Sequence, residues 1–288
     1  MHMKRLTLLI MAVAFMLPQT IMAGKPENTE LKVMSYNIRL GSANDGTNSW
    51  AMRYTATGEM LDDQKPDVFG VQEALDYQVR YIEEMCGYEY VGVGRENGKS
   101  EGEHMAIFWN KKTVSMLKWG TFWLSETPDK PSMGWDAACF RTATWALMKD
   151  KKTGKKFYFV NTHLDHKGKE AQKNGLKLIV DRIAQINPDG YPMVLTGDFN
   201  MEPDNSNLKD LDSKMQSVRK VAEKTDAHDT FNGWGRGKGI IDYIYEHHSE
   251  KLTLRELAEK EHFRKTFVDQ ACAFLAIADD EERAHAVE

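Results

Sequence analysis

The chain of 288 residues carries 43 acidic and 38 basic side chains, which gives a formal net charge of −5 at pH 7. A net acidic chain lacks the overall positive charge of a protein that binds duplex nucleic acid without regard to sequence. Three cysteines at irregular positions argue against a disulfide framework and against a thiolate metal site.

The first 23 residues have the order of a secretory signal. Lys4 and Arg5 precede an apolar run over residues 6–17, and Ala23 ends a cleavage pattern. The run stops at Pro18, short of the roughly 20 apolar residues that a bilayer-spanning helix requires. We therefore expect cleavage after Ala23 and an exported, periplasmic or secreted product without a transmembrane segment.

After residue 24 the chain alternates β-rich runs with helical patterns, and no repeat or low-complexity tract is present. Apolar residues at helical spacing predict helices over 53–64, 76–85 and 169–186. Strands are predicted over 31–38, 67–72, 88–93, 105–109, 115–124, 142–148, 157–162, 193–198 and 240–245. Many strands with helices packed outside predict an α/β or α+β sandwich of two sheets within one domain, residues 24–248.

The character of the chain changes at its end. Residues 249–288 are highly charged, contain no Gly or Pro, and have an apolar stripe at helical spacing. We expect an atypical helical tail, which could be a packed helical pair, a partner-binding element or a non-native extension.

Polar side chains suited to metal or phosphate follow several apolar runs. Residues i and i+2 of a strand face the same side, so those after one run can point together. The set offers oxygen and imidazole ligands without thiolate, which suits Mg²⁺ or Mn²⁺. Its members are Asn37, Glu73, Asn161, His163, Asp198 and Asn200.

Each of these residues has a simpler interpretation when taken singly. Asn37 could cap a turn, and Glu73 could be an acid favoured at a helix N-terminus. His163 could be a structural histidine, and Asp198 with Asn200 could form an ordinary turn. The ordered combination is what favours a functional site.

Five short motifs occur in the order of a known family. They read SYNIR at 35–39, QE at 72–73, NTHLD at 161–165, GDFN at 197–200 and IDYI at 241–244. This series resembles the endonuclease/exonuclease/phosphatase superfamily over roughly residues 31–245. The stretch GWDAA at 134–138, followed by Arg141, is most similar to exported bacterial members.

The resemblance implies a four-layer α/β/β/α sandwich, with two mixed β-sheets face to face and helices outside. It also implies a metal-dependent phosphodiesterase, nuclease or phosphatase that acts on nucleic acid, a phospholipid head group or a small phosphorylated molecule. By resemblance, Glu73 and Asn37 hold Mg²⁺ or Mn²⁺, and Asp198 activates the attacking water. The residues that the resemblance places on the substrate phosphate are Arg141, Asn161, His163 and Asn200, and Asp242 is the carboxylate that orients a catalytic histidine.

The family pattern fails at its last motif, a strand that begins with Ser-Asp-His. No Asp-His pair follows Tyr245, and His262 after Glu261 is the nearest substitute. The alternative function is therefore a catalytically weakened homologue that binds phosphate ligands without the terminal Asp-His pair.

Overall fold

Two mixed β-sheets lie face to face in the computed structural model, which describes residues 29–225, 228–247 and 252–255. Five strands of the described chain form the first sheet, in the order β11 (Leu252–Arg255), β1 (Thr29–Asn37), β2 (Val68–Gln72), β4 (Ile107–Trp109) and β3 (Glu89–Val91). Six form the second within the same residues, in the order β5 (Val114–Trp123), β6 (Thr142–Asp150), β7 (Lys156–His163), β8 (Met193–Asp198), β10 (Asp242–His247) and β9 (Gln216–Ser217).

Helices cover the outer face of each sheet. The helices are α1 (Trp50–Gln64), α2 (Asp76–Cys86), α3 (Lys169–Ile186), α4 (Leu208–Asp212) and α5 (Val218–Val221). Met60, Leu61 and Ile82 of the first two pack with Phe69 and Phe108 on the first sheet. The apolar side of α3 packs in the same way on the second sheet. The predicted α/β/β/α sandwich is confirmed, and α3 and β8 have the predicted bounds.

The space between the sheets is filled by alternate strand residues. Val33 and Val68 of the first sheet share one buried cluster with Phe157, Phe159 and Val194 of the second. Because strand side chains alternate between the two faces of a sheet, the intervening strand residues point outwards and pack against the helices. Burying both faces of both sheets explains why many strand sequences are almost continuously apolar.

The predicted helical tail is wrong at residues 252–255, which form β11. This strand pairs in parallel with β1, from Thr29 opposite Leu252 to Lys32 opposite Arg255. The sequence Leu-Thr-Leu-Arg alternates with the period of two that a strand requires. It also lies at an edge of β1 that offers unpaired backbone groups, which attract another strand. The remainder of the predicted tail, residues 256–288, and the predicted signal segment lie outside the described residues.

Strand direction brings the predicted polar residues to one edge of the sandwich. The parallel neighbours β1 and β2 end together at Asn37 and Gln72, and β7 and β8 end together at His163 and Asp198. The antiparallel strand β10 begins at the same edge, with Asp242 opposite Asp198. No described helix is both long and apolar enough to cross a membrane.

Candidate active site

The strand ends surround a pocket of about 740 Å³. Glu73, His163 and Asp198 meet there, and one ligand atom from each lies within 4.8 Å of the others. Asn37, Asn200, Asp242 and Arg141 line the same pocket. The structure therefore brings together seven of the eight residues that the sequence singled out.

Asn37 links the two carboxylates nearest to it. Its Nδ2 donates to Glu73 Oε1 and to Asp198 Oδ2, both at 2.9 Å, while its Oδ1 accepts from Arg39 N. Glu73 Oε2 accepts from the backbone N–H of Leu40 at 2.7 Å. To bind a metal as predicted, Asn37 would turn its Oδ1 from Arg39 towards the carboxylates.

Three residues at the site have left-handed backbone conformations. The φ angle is 64° at Glu73, 64° at Arg39 and 51° at Asn200. Such angles are uncommon for residues other than glycine, and they cluster at functional sites where the surrounding structure enforces them. The reversal at Glu73 directly follows β2, whose five residues are all buried.

Asp198 is a buried carboxylate among other carboxylates. Its burial, followed by the negative charge of Asp242, raises the pKa of Asp198 to about 7, and the charge of Glu73 adds to this rise. Hydrogen bonds from Asn200 N and from the Asn37 amide oppose it. A group with a pKa near neutrality is suited to take a proton from water.

His163 is held between Asn200 and Glu103. The side-chain amide nitrogen of Asn200 lies 3.0 Å from His163 Nε2 and donates to Leu164 O. His163 Nδ1 lies 3.9 Å from Glu103 Oε2 and has no hydrogen-bond partner among the described residues. Burial, and then the positive charge of Arg141, holds the pKa of His163 well below its usual range.

Asp242 lies beside Asp198 at the start of β10. The backbone N–H groups of Ile241 and Asp242 both donate to Thr230 Oγ1 at 2.9 Å. These two hydrogen bonds to one hydroxyl oxygen fix the entry of β10 into the sheet. The Asp242 carboxylate is buried and lines the pocket, as its predicted role requires.

Asn161 is the predicted residue that the structure places elsewhere. Its Nδ2 donates to Val71 O and Ala106 O, and its Oδ1 accepts from Gln72 Nε2 and Thr196 Oγ1. The side chain therefore joins the two sheets with every polar atom bonded. A Cβ at Gly70 would collide with it, so glycine is required there. We withdraw Asn161 from the phosphate-binding set.

The sequence interpretation missed Glu103 and Arg95. Arg95 Nη1 donates to Glu103 Oε2 at 2.6 Å, and both side chains line the pocket. Burial raises the pKa of Glu103 while Arg95 opposes the rise. Glu103 precedes β4, which is antiparallel to β2, so the start of β4 lies at the site edge. Polar residues before an apolar run were the signal that could have found it.

An aromatic loop forms another wall of the pocket. Phe231 and Trp234 line it, and Trp234 has a φ of 58°. Asn232 Oδ1 accepts from Trp234 N at 3.0 Å, which stabilises this turn. Phe231 is 44% exposed, an unusual state for a phenylalanine that faces a pocket. The loop can therefore contact an apolar or ring-shaped part of a ligand.

The pocket contains two histidines from the described part of the chain, His163 and His166. Neither comes from the end of the chain, where the family pattern has its terminal histidine. His262 lies outside the described residues.

The residues present fit a hard divalent cation. Glu73, Asp198 and Asp242 supply carboxylate oxygens, and the charges of Asp242 and Glu73 add to the effect of burial in raising the pKa of Asp198. A cation would relieve that repulsion, and carboxylate oxygens are the ligands that Mg²⁺ and Mn²⁺ prefer.

Comparisons with known proteins find related sequences and folds. The sequence profile of the Endonuclease/Exonuclease/phosphatase family matches residues 34–252. A family protein from Bacteroides vulgatus is 36% identical, with a TM-score of 0.72 over 75% of this chain and 87% of that one. A mannosyl-6-phosphatase from Bacteroides thetaiotaomicron is 34% identical, with a TM-score of 0.73 over 76% and 86%. An uncharacterised protein of Acanthamoeba polyphaga mimivirus is 25% identical over 60% of this chain and 68% of its own length.

Proposed function

This chain belongs to the endonuclease/exonuclease/phosphatase family, and we propose that it is a divalent-metal-dependent hydrolase of phosphoester bonds. Members of the family are generally phosphoester hydrolases. The observation that carries the proposal is the convergence of Glu73, His163 and Asp198 within 4.8 Å in one pocket. The charges of the carboxylates there repel one another, and a bound cation would offset that repulsion.

Each residue of the site has a separate role in the proposed hydrolysis. Ionised Asp198 accepts a proton from the attacking water, and the Asn200 backbone N–H holds one of its oxygens at 2.9 Å. Glu73 and Asn37 would hold the cation, and His163 and the Asn200 amide would donate to phosphoryl oxygens. For this the Asn200 amide would exchange its present contacts with Leu164 O and His163 Nε2 for the ligand. The chemistry that a bound Mg²⁺ or Mn²⁺ supplies is neutralisation of charge on the phosphoryl group and on the leaving oxygen.

A small phosphorylated molecule is the substrate class that we favour. The net charge of −5 opposes binding to a nucleic-acid polyanion, and the pocket of about 740 Å³ is the size of a small-ligand site. The 34% identity to a mannosyl-6-phosphatase makes sugar phosphates the first esters to test. The signal-like order of residues 1–23 supports action outside the cytoplasm.

The test is turnover by purified protein. Protein freed of metal by chelation and then given Mg²⁺ or Mn²⁺ should release product from p-nitrophenyl phosphate, bis(p-nitrophenyl) phosphate or mannose 6-phosphate. Glu73→Gln should lower the rate by at least about a hundredfold. The matched control is Glu84→Gln, on the exposed side of α2. No turnover of any ester with either metal would overturn the proposal.

A phosphate-binding protein with weakened catalysis is the second candidate. It is favoured by the sequence, in which no Asp-His pair follows Tyr245. Calorimetry that shows Mg²⁺-dependent binding of inorganic phosphate, together with no ester turnover, would identify this function. Turnover that Glu73→Gln removes would exclude it.

A further inference from the structure

A second group of polar side chains lines the same pocket, at the start of β6 and just after β7. It consists of Cys139, Arg141, Asp165 and His166, of which all but Asp165 line the pocket directly. Arg141 and His166 lie close enough to His163 for their charges to lower its pKa. The two groups therefore face one ligand space.

Arg141 is fixed in orientation and keeps one donor unused. Its Nε lies 3.3 Å from Asp165 Oδ2, and its Nη2 lies 3.0 Å from His166 Nδ1. The residue is 5% exposed, and Nη1 has no hydrogen-bond partner in the part of the chain that the structure describes. A buried guanidinium N–H without an acceptor is costly, so a ligand oxygen in the pocket would satisfy it.

Asp165 makes this orientation rigid. Its Oδ1 accepts from the backbone N–H groups of Lys167 and Gly168, and its Oδ2 accepts from Ala138 N. With both oxygens held by the backbone, the carboxylate cannot turn away from Arg141. The guanidinium plane is therefore set before any ligand arrives.

The contact with Arg141 also sets the tautomer of His166. Arginine can only donate, so His166 Nδ1 must accept, and neutral His166 carries its hydrogen on Nε2. His166 is exposed at the mouth of the pocket and lines it. It therefore presents a second oriented N–H donor beside Arg141 Nη1.

We propose that Arg141 Nη1 and His166 Nε2 bind non-bridging oxygens of the substrate phosphoryl group and select phosphomonoesters over phosphodiesters. This inference rests on the proposed function. A monoester dianion has three non-bridging oxygens and more charge to satisfy than a diester, which has two. In a diester, a second ester group would take the position of one oxygen and leave a buried donor of this pair without an acceptor.

The experiment compares the two ester types in the same variants. In wild type with Mg²⁺ or Mn²⁺, kcat/KM should be higher for p-nitrophenyl phosphate than for bis(p-nitrophenyl) phosphate. His166→Ala should lower the monoester value roughly tenfold or more and change the diester value less than about twofold. Arg141→Lys keeps the charge but loses the planar set of guanidinium N–H donors. It should also lower kcat/KM more for the monoester than for the diester. The control His247→Ala, at the exposed far end of β10, should leave the ratio unchanged.

Failure of this inference is distinguishable from failure of the proposed function. Equal losses on both esters, or a wild type that prefers the diester, would overturn the selection of monoesters while hydrolysis stands. If wild type hydrolyses neither ester, calorimetry with inorganic phosphate and Mg²⁺ tests the pair directly. Weaker phosphate binding in His166→Ala would then support the phosphoryl contact, and unchanged binding would overturn it.

Discussion

Two groups of acidic and histidine side chains lie in one pocket, and they differ in how their charge is balanced. The first group is Glu73, His163 and Asp198, and the second is Cys139, Asp165 and His166 together with Arg141. In each group, potential ligand atoms of three side chains lie within 4.8 Å of one another, close enough to share a metal ion. In the first, however, the carboxylates repel one another, and in the second an arginine and backbone N–H groups already surround the acid.

The pKa directions of the two aspartates express this difference. Burial and the charge of Asp242 raise the pKa of Asp198 to about 7. Burial also favours a rise at Asp165, but hydrogen bonds from Gly168 and Lys167 and the charge of Arg141 together lower the pKa of Asp165. Proximity of ligand atoms is therefore not enough to define a metal site. In the first group Arg39 lies 3.9 Å from Glu73, but the charges that shift the pKa of Asp198 are those of Asp242 and Glu73. In the second group Arg141 lies directly beside Asp165.

The largest predicted effect is on activity at the first group. Asp198→Asn should lower kcat by about a thousandfold, because it removes the base near the attacking water. The same change removes a buried charge, so without metal at pH 8 the variant should melt at a higher temperature than wild type. Thermal melting and ester turnover measure the two effects. Asp189→Asn, an exposed turn residue, is the control and should change neither.

A stability loss is predicted at the second group. Asp165→Ala should destabilise the protein by about 3–5 kcal/mol, because it leaves the Arg141 charge buried without its partner. Urea unfolding checks the value, and Asp181→Ala on the exposed surface of α3 should cost less than about 1 kcal/mol. If Asp165→Ala lowers the free energy of unfolding no more than Asp181→Ala does, Asp165 does not balance the buried charge of Arg141 as described above.

The ends of apolar runs in the sequence predicted those parts of the site that follow parallel strands, whereas Asp242 and Arg141 were predicted only through the family resemblance. Asn37, His163 and Asp198 end β1, β7 and β8, and parallel neighbours end at a common edge. Glu103 and His166 were missed for different reasons. Glu103 precedes an antiparallel strand, and the role of His166 depends on Arg141, whose contact is not visible in the sequence.

Asn161 shows the limit of residue spacing. It shares a strand face with His163, as the i and i+2 rule states, but the rule gives direction and not depth. Asn161 lies two residues deeper in the strand than His163, where the facing sheet approaches so closely that residue 70 must be glycine. There the Asn161 amide donates a hydrogen bond across the gap to Val71 O.

The fold was predicted more fully than the site because long apolar runs determine β8 and α3 locally. Strand β11 was missed because four residues are too few for a period of two to outweigh a helical pattern around them.

A pH dependence follows from the raised pKa of Asp198. Between pH 3.8 and about 7 the folded protein holds a proton on Asp198 that the unfolded chain has lost. Stability contributed by this group therefore falls as pH rises through that window, by at most about 4 kcal/mol. Urea unfolding of metal-free protein from pH 5 to 8 should show the fall, and Asp198→Asn should flatten it. If the free energy of unfolding falls equally with pH in wild type and in Asp198→Asn, a group other than Asp198 causes the dependence.

The smallest predicted effect is the stabilisation by metal, and it separates the two groups most directly. Mg²⁺ at ten times its Kd should stabilise wild type by about 1.4 kcal/mol, which raises Tm by roughly 3–6 °C. Glu73→Gln should lose most of this shift because it removes the carboxylate that holds the cation in the proposed function. Cys139→Ser removes a potential ligand from the second group, and it should keep the full shift because Arg141 already occupies the place of a cation there. If the shift disappears in Cys139→Ser and persists in Glu73→Gln, the cation binds beside Asp165, and the contrast between the two groups is reversed.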